Sequence, residues 1–128
     1  MIAAAVLLLL ATGGGAGDCV RLLQSSTVPV EKALAIFESK PGNSAEALLA
    51  AREVLAHAQE ARGRLEAARV SSFCAPSRSE ELIYLNHLTL GFTGWIAART
   101  RRPPQDYDLA SVIRRARTHR ARGRSRLQ

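Results

Sequence analysis

From Asn43 to Arg69 the chain carries one unbroken amphipathic pattern, and that pattern dictates helices packed on helices. Ala47, Val54, Ala61 and Ala68 recur every seven residues, Ala51, Ala58 and Leu65 fill the companion positions, and Leu48 and Leu55 widen the stripe. Apolar side chains at this spacing line one face of an α-helix, whereas a half-buried strand needs strict alternation. Because the seam is mostly Ala, a neighbouring helix can approach closely. Glu46, Glu53, Glu60 and Glu66 alternate with Arg52, Arg62, Arg64 and Arg69 on the other faces. Such a solvated face contributes only tenths of a kcal/mol per pair. Gly63 is the weak spot of the run. Asn43 with Glu46 has the spacing of a capping box at its start.

The flanking segments read the same way. Val30, Ala33, Leu34 and Phe37 fall at i, i+3, i+4 and i+7, with Pro29 in the first turn and Thr27 as the expected cap. A short helical lead-in over Asp18–Gln24 is expected to be interrupted at Ser25-Ser26-Thr27, and Lys40-Pro41-Gly42 ends the element. Val70–Ser79 reads as a turn carrying Cys74 and Pro76, after which Ser77 and Glu80 form a second capping box. From Leu82 to Ala98 the chain is apolar on nearly every side, the signature of a central helix. Gly91 and Gly94 inside it are read as sites of close helix packing, with the Ala seam as the expected partner. A kink opening a small pocket beside Trp95 is the alternative. After a basic connector over Arg99–Gln105, Asp106 or Asp108 caps a last helix whose apolar face is Leu109, Val112, Ile113 and Ala116. Beyond Ala116 no apolar face continues, and Gly123 is expected to break any helix. Aromatic residues are only 5% of the chain, which argues against a sandwich or barrel.

The first residues have a different character. Ile2–Thr12 is apolar and Ala-rich and is followed by Gly13-Gly14-Gly15-Ala16-Gly17 and the first charge, Asp18. This matches the apolar and small-residue regions of a secretory signal peptide, without the usual basic start, and it is too short to span a bilayer. Cleavage after Ala16 or Gly17 fits the small-residue rule. Export in turn predicts that Cys19 and Cys74, which are the whole cysteine complement, form a disulfide. Closing that loop contributes about 4 kcal/mol in the chain-entropy picture. Lipidation of Cys19 is a minor alternative, since Asp18 replaces the small residue it needs.

Charge is segregated along the chain. Residues 99–128 hold ten Arg against Asp106 and Asp108, whereas residues 1–98 are close to neutral, so the formal net charge of +7 belongs to the C-terminal segment. Arg114, Arg115, Arg117, Arg120, Arg122, Arg124 and Arg126 are therefore the candidate contacts for an anionic partner. No interleaved aromatics stand among them for base stacking. An unselected, solvated basic end is the plain alternative.

No nucleophile elbow, phosphate loop, zinc-protease helix or dinucleotide fingerprint occurs. His57 and His119 sit on separate elements, and His87 is the one histidine on the apolar helix. Glu80 could share its face two turns away, and His87 with Glu80 or Glu81 beside a Gly91/Gly94 pocket is the one arrangement with a catalytic reading. A hydrogen-bonded, buried His87 is preferred over it. His87 and Trp95 are retained as a possible buried polar or pocket site, and no catalytic residue, cofactor or metal is expected.

The expected fold is all-α, a small antiparallel bundle of three to four helices over residues 18–117. It follows a signal peptide over 1–17 and precedes a basic, frayed, disordered tail over 118–128. The expected function is that of a secreted or periplasmic, non-catalytic macromolecule-binding protein, such as an envelope inhibitor or immunity-type protein. Its partner would be another protein or an anionic surface, and the mature chain would hold no stable transmembrane span. A non-exported nucleic-acid-associated protein using the Arg-rich end, or a secreted four-helix signalling ligand, are the alternatives.

Overall fold

The computed structural model describes residues 15–42 and 44–128, so the apolar run Ile2–Thr12 and the expected cap Asn43 lie outside the described residues. Among the described residues the chain forms four helices and no strand: α1 (Ala16–Glu38), α2 (Ala45–Ala67), α3 (Ala75–Thr100) and α4 (Leu109–Ser125). Each helix packs on its neighbour in sequence, with α3 touching both α2 and α4. No described helix is long and apolar enough to cross a membrane.

Helix α1 runs straight through the expected interruption. Cys19, Leu23, Ser26, Thr27, Val30, Ala33 and Leu34 form one buried stripe along it. Ser25, Ser26 and Thr27 turn their hydroxyls back onto the helix, donating to Leu22 O, Leu22 O and Leu23 O. This back-bonding satisfies small polar side chains on a buried face without leaving the helix. Pro29 is accommodated inside α1, not in a first turn. Its missing N–H leaves the Ser25 carbonyl without a helical donor. Tertiary burial of the stripe outweighs that local cost.

The cap of helix α2 falls one residue after the expected one. Ser44 is the N-cap, and its Oγ accepts from Ala47 N at 3.0 Å while donating to Pro41 O. The Ala seam is buried as expected: Ala47, Ala51, Val54, Ala58, Ala61 and Leu65 are all core residues. Ala68 falls just past the helix end as its C-cap. The open carbonyls there are met by Arg78, whose Nη1 donates to Ala68 O at 2.6 Å. A cation at a helix C-terminus also suits the helix dipole.

Helix α3 starts earlier than the Ser77/Glu80 box implies. Cys74 is its N-cap and Pro76 sits in the first turn, where a missing N–H costs little. Ser77 is consequently inside the helix and fully buried, with no hydrogen-bond partner for its hydroxyl among the described residues. The Cys19–Cys74 disulfide joins the first turns of α1 and α3, with the two Cα atoms 5.6 Å apart. A Cys19 in this bridge has no free sulfur to carry a lipid. The core is built around Leu23, Val30, Leu34, Val54, Leu65, Tyr84, Leu85, Leu88 and Phe92. Phe37 stands edge-on to both Phe92 and Trp95.

The glycines of α3 pack closely, but against α4 and its connector instead of the Ala seam. A Cβ at Gly91 would lie 2.5 Å from Val112 Cγ1, and one at Gly94 would lie 2.6 Å from the Tyr107 ring. Asp108 caps α4, accepting from Ser111 N and Ser111 Oγ, and these bonds hold its carboxyl below the usual range.

The largest departure from expectation is the C-terminus. Residues 118–125 are not a frayed, disordered tail but the second half of α4. Gly123 does not break the helix. It is buried, and its bare Cα lets α4 pass the start of α3, where a Cβ would come within 2.9 Å of Glu80 Cβ and 3.0 Å of Ser77 O. Leu127 closes the end and is buried.

Gly63 and Gly123 therefore predict substitutions of opposite sign. Gly63→Ala meets nothing within 4 Å, and it is expected to stabilise by about 0.5–1 kcal/mol by reducing backbone freedom in the unfolded chain. Gly123→Ala presses on a main-chain oxygen that cannot swing aside, and a loss of about 1–3 kcal/mol is expected. Urea unfolding of the two single variants checks both signs.

Candidate functional site

Helix spacing sorts the C-terminal arginines into two sets. Leu109, Ile113, Ala116, Gly123 and Leu127 face the core of the bundle. Arg117, Arg120 and Arg124, at i, i+3 and i+7, lie beside that stripe and meet carboxylates of other helices. Arg114, Arg115, Arg122 and Arg126 share roughly a third of the helix circumference on the opposite side, at 3.6 residues per turn.

The inward set forms a polar seam between α1, α3 and α4. Arg124 binds Glu81 with two parallel hydrogen bonds, Nε to Oε1 at 3.0 Å and Nη2 to Oε2 at 2.9 Å, and Nη2 also donates to Thr27 Oγ1 at 3.1 Å. Glu81 and Thr27 are both fully buried. Burial pushes the Glu81 carboxyl up, and the hydrogen bonds and charge of Arg124 only partly offset this. Arg120 pairs with Glu31 and lies over the Tyr84 ring, 5.2 Å from its centroid. Tyr84 is itself fully buried, with no partner for its hydroxyl among the described residues. Burial first, and then the nearby Glu81 charge, hold that phenol protonated well above its ordinary range. Arg117 grips Glu38 at 2.6 and 3.1 Å near the surface. An exposed pair of this kind contributes at most about 1 kcal/mol.

His119 is also part of the seam, not of a loose end. Its Nδ1 donates to Glu80 Oε2 at 2.9 Å, and its ring stacks on His87 with centroids 5.2 Å apart. Glu80 is thus engaged by His119, and Glu81 by Arg124, so the juxtaposition of His87 with a carboxylate is not formed. His87 is half-buried, not enclosed. Burial lowers its pKa from 6.5, with His119 and Arg115 lowering it further.

A group whose folded pKa lies below its unfolded value takes up protons more readily in the unfolded chain. His87 therefore carries no penalty above pH 6.5, and it costs stability progressively as pH falls from 6.5 through its lower folded pKa. Thermal unfolding between pH 7.5 and 5.5 is expected to show Tm declining with acidification. The His87→Gln variant is expected to show a shallower decline.

The outward set stands apart. Arg114, Arg115, Arg122 and Arg126 are exposed and take part in none of the salt bridges among the described residues. Arg114 donates only to Ser111 Oγ. No carboxylate occurs from Leu82 to Gln105 or from Leu109 to Gln128. The exposed glutamates Glu46, Glu53 and Glu60 lie on α2 instead. Of the seven arginines singled out from sequence, these four are therefore left without a salt bridge, and Asp108, at the start of α4, feels the charges of Arg114 and Arg115.

Trp95 lies at the other end of α3 from the disulfide, under the Arg99 guanidinium at 4.8 Å. It lines a cavity of about 540 Å3 with Phe37, Tyr107, Ile113, Arg114 and Arg117. This cavity forms where α1, α3 and the α4 connector meet. His87 does not line it, so His87 and Trp95 do not belong to one site. A second cavity, of about 350 Å3, lies between α1 and α2 and is lined by Val28, Lys32, Ile36, Ala50, Glu53 and His57. The sequence pattern gave no sign of this one, because its lining comes from the edges of two helical faces. Among the described residues no three His, Cys, Asp or Glu side chains converge as a metal site would require. No protein-family model, curated protein or solved structure matches the chain.

Proposed function

We propose that this is a small exported protein, secreted or periplasmic, that binds a macromolecular partner without catalysis, as an envelope inhibitor or immunity-type protein does. On this reading the mature chain is an antiparallel four-helix bundle released from a leader over residues 1–17. The observation that carries the proposal is the division of the arginines. Three are engaged by Glu31, Glu38 and Glu81, while Arg114, Arg115, Arg122 and Arg126 stay unbridged on the outer side of α4. Held on a helix packed against the body, they form a basic stripe about 18 Å long at 1.5 Å rise per residue. Such a stripe attracts an anionic protein face or surface. The Cys19–Cys74 disulfide supports the exported location, since such bonds persist in oxidising compartments.

Two measurements test this. The chain recovered from its producing cells is expected to begin at Gly17 or Asp18 and to titrate no free thiol. An intact Met1 with two free thiols overturns export and favours the nucleic-acid-associated alternative. In low salt, polyglutamate is expected to bind the purified chain, and an Arg115→Ser/Arg122→Ser/Arg126→Ser variant is expected to lose that binding. Equal binding by the variant, or no binding by either protein, overturns the basic stripe as the contact surface.

A further inference from the structure

The basic stripe does not end at the edge of α4. His119 stacks on His87 of α3, and the Arg115 charge acts on the same His87 ring, so the outer faces of α3 and α4 form one continuous surface. On α3, Ile83 and Leu90 stand one turn to either side of His87, and residues at i−4 and i+3 share a helix side. Both are large apolar side chains left in water, Ile83 38% and Leu90 66% exposed. The surface thus presents two apolar side chains beside a row of unbridged arginines, on helices that lack carboxylates from Leu82 onward. Exposed glutamates Glu46, Glu53, Glu60 and Glu66 sit on α2, and the exposed Asp106 and Asp108 lie only at the start of α4.

We infer that the α3/α4 face docks on an anionic phospholipid surface, with Arg115, Arg122 and Arg126 on lipid phosphates and Ile83 and Leu90 inserted among the headgroups. The inference rests on the reading of this face as the binding surface and names its partner. Charge complementarity selects an anionic occupant, and guanidinium groups match phosphate oxygens bidentately. The apolar pair selects lipid among the anions. A nucleic-acid backbone offers Leu90 and Ile83 nothing to bury against. A protein partner draws its affinity from aromatic or arginine anchors seated in pockets, and none of Arg115, Arg122, Arg126, Ile83 and Leu90 lines either cavity described above. An interfacial surface needs only cations and a few apolar side chains that reach the acyl boundary.

The test is sedimentation of the purified chain, with whatever N-terminus it carries from the cell, against two vesicle preparations. One is phosphatidylcholine alone and the other is phosphatidylcholine with about one-third phosphatidylglycerol. Binding to the anionic vesicles only is expected, weakening steeply as salt rises. Each arginine near such a surface contributes roughly 5-fold. The Arg115→Ser/Arg122→Ser/Arg126→Ser variant is therefore expected to bind about 100-fold more weakly. Leu90→Gln is expected to lose about 3- to 10-fold, which a purely electrostatic contact would not show. Glu53→Gln on α2 is expected to bind unchanged, and circular dichroism confirms that each variant is folded.

Equal binding to neutral vesicles, or full binding by the triple variant, overturns the inference. So does the absence of vesicle binding when polyglutamate still binds through the arginines, an outcome that leaves the proposed function standing. Polyglutamate and vesicles bound alike with no loss in Leu90→Gln also reduces the face to a general polyanion site and overturns the lipid assignment. If neither probe binds, both readings fall together.

Discussion

Arg124→Ala is expected to destabilise the protein by about 3–5 kcal/mol, the range for removing one partner of a buried ion pair. The cost arises because Glu81 stays fully enclosed after its two hydrogen bonds are gone. A domain of this size has only about 5–15 kcal/mol to lose, so Tm should fall by more than about 10 °C. The deficit is expected to depend on pH. The Glu81 carboxyl is already raised by burial, and without Arg124 it rises further. A carboxyl whose folded pKa exceeds its unfolded value is penalised only once it ionises, so the deficit should shrink in acid and grow towards neutrality. Glu81→Leu/Arg124→Leu is expected to recover most of the loss, because a well-packed apolar pair replaces the desolvated charges. Urea unfolding of the single and double variants at pH 5 and pH 7.5 checks all of this. An Arg124→Ala protein within about 1 kcal/mol of wild type would mean that Arg124 is not a structural residue and is available to an outside ligand.

Loss of the disulfide is expected to be of similar size and of different origin. Cys19 and Cys74 are 55 positions apart, and the chain-entropy model gives about 4 kcal/mol for a loop of that length. The closed loop contains most of α1 and all of α2, so the bridge restricts the unfolded state of half the bundle. Reduction, or Cys19→Ala/Cys74→Ala, should leave the helical circular dichroism of the native protein intact while lowering the urea midpoint. Both cysteines are buried, so Ala leaves a small cavity and the substituted form should be slightly weaker than the reduced one. A midpoint unchanged by reductant would place the stability of the fold entirely in its packing.

Where apolar periodicity was strong, the helices were legible. The Ala seam of α2, the Val30–Phe37 face and the Leu109–Ala116 face are buried where their spacing places them. Helix ends were less legible, because capping competes with burial. Ser25, Ser26 and Thr27 look like a break, yet two of them lie on the buried stripe of α1 and bond back to its carbonyls. Ser77 and Glu80 have the spacing of a cap, but Cys74 already starts α3 and Ser77 is drawn into the core.

The second half of α4 was illegible for a more general reason. Its side chains seal against the body by charge and hydrogen bonding, and their partners Thr27, Glu31, Glu80 and Glu81 lie on helices distant in sequence. A search for apolar spacing sees none of these pairings. It also reads Gly123 as a breaker, when close contact with Ser77 and Glu80 is what demands a glycine there.

By itself the sequence determined the all-helical class, the only possible intramolecular disulfide and the concentration of positive charge after residue 98. Those properties follow from side-chain type and local spacing, which are fixed before the chain folds. Which arginines would be absorbed by the protein and which left free was decided by tertiary structure alone. Spacing separates Arg124 from Arg122 only if the helix runs on past Ala116, and nothing in the local pattern shows that it does. Glu81, buried on α3, holds the continued helix in place, because a buried carboxylate requires a cation and Arg124 is the one that stands beside the buried stripe there.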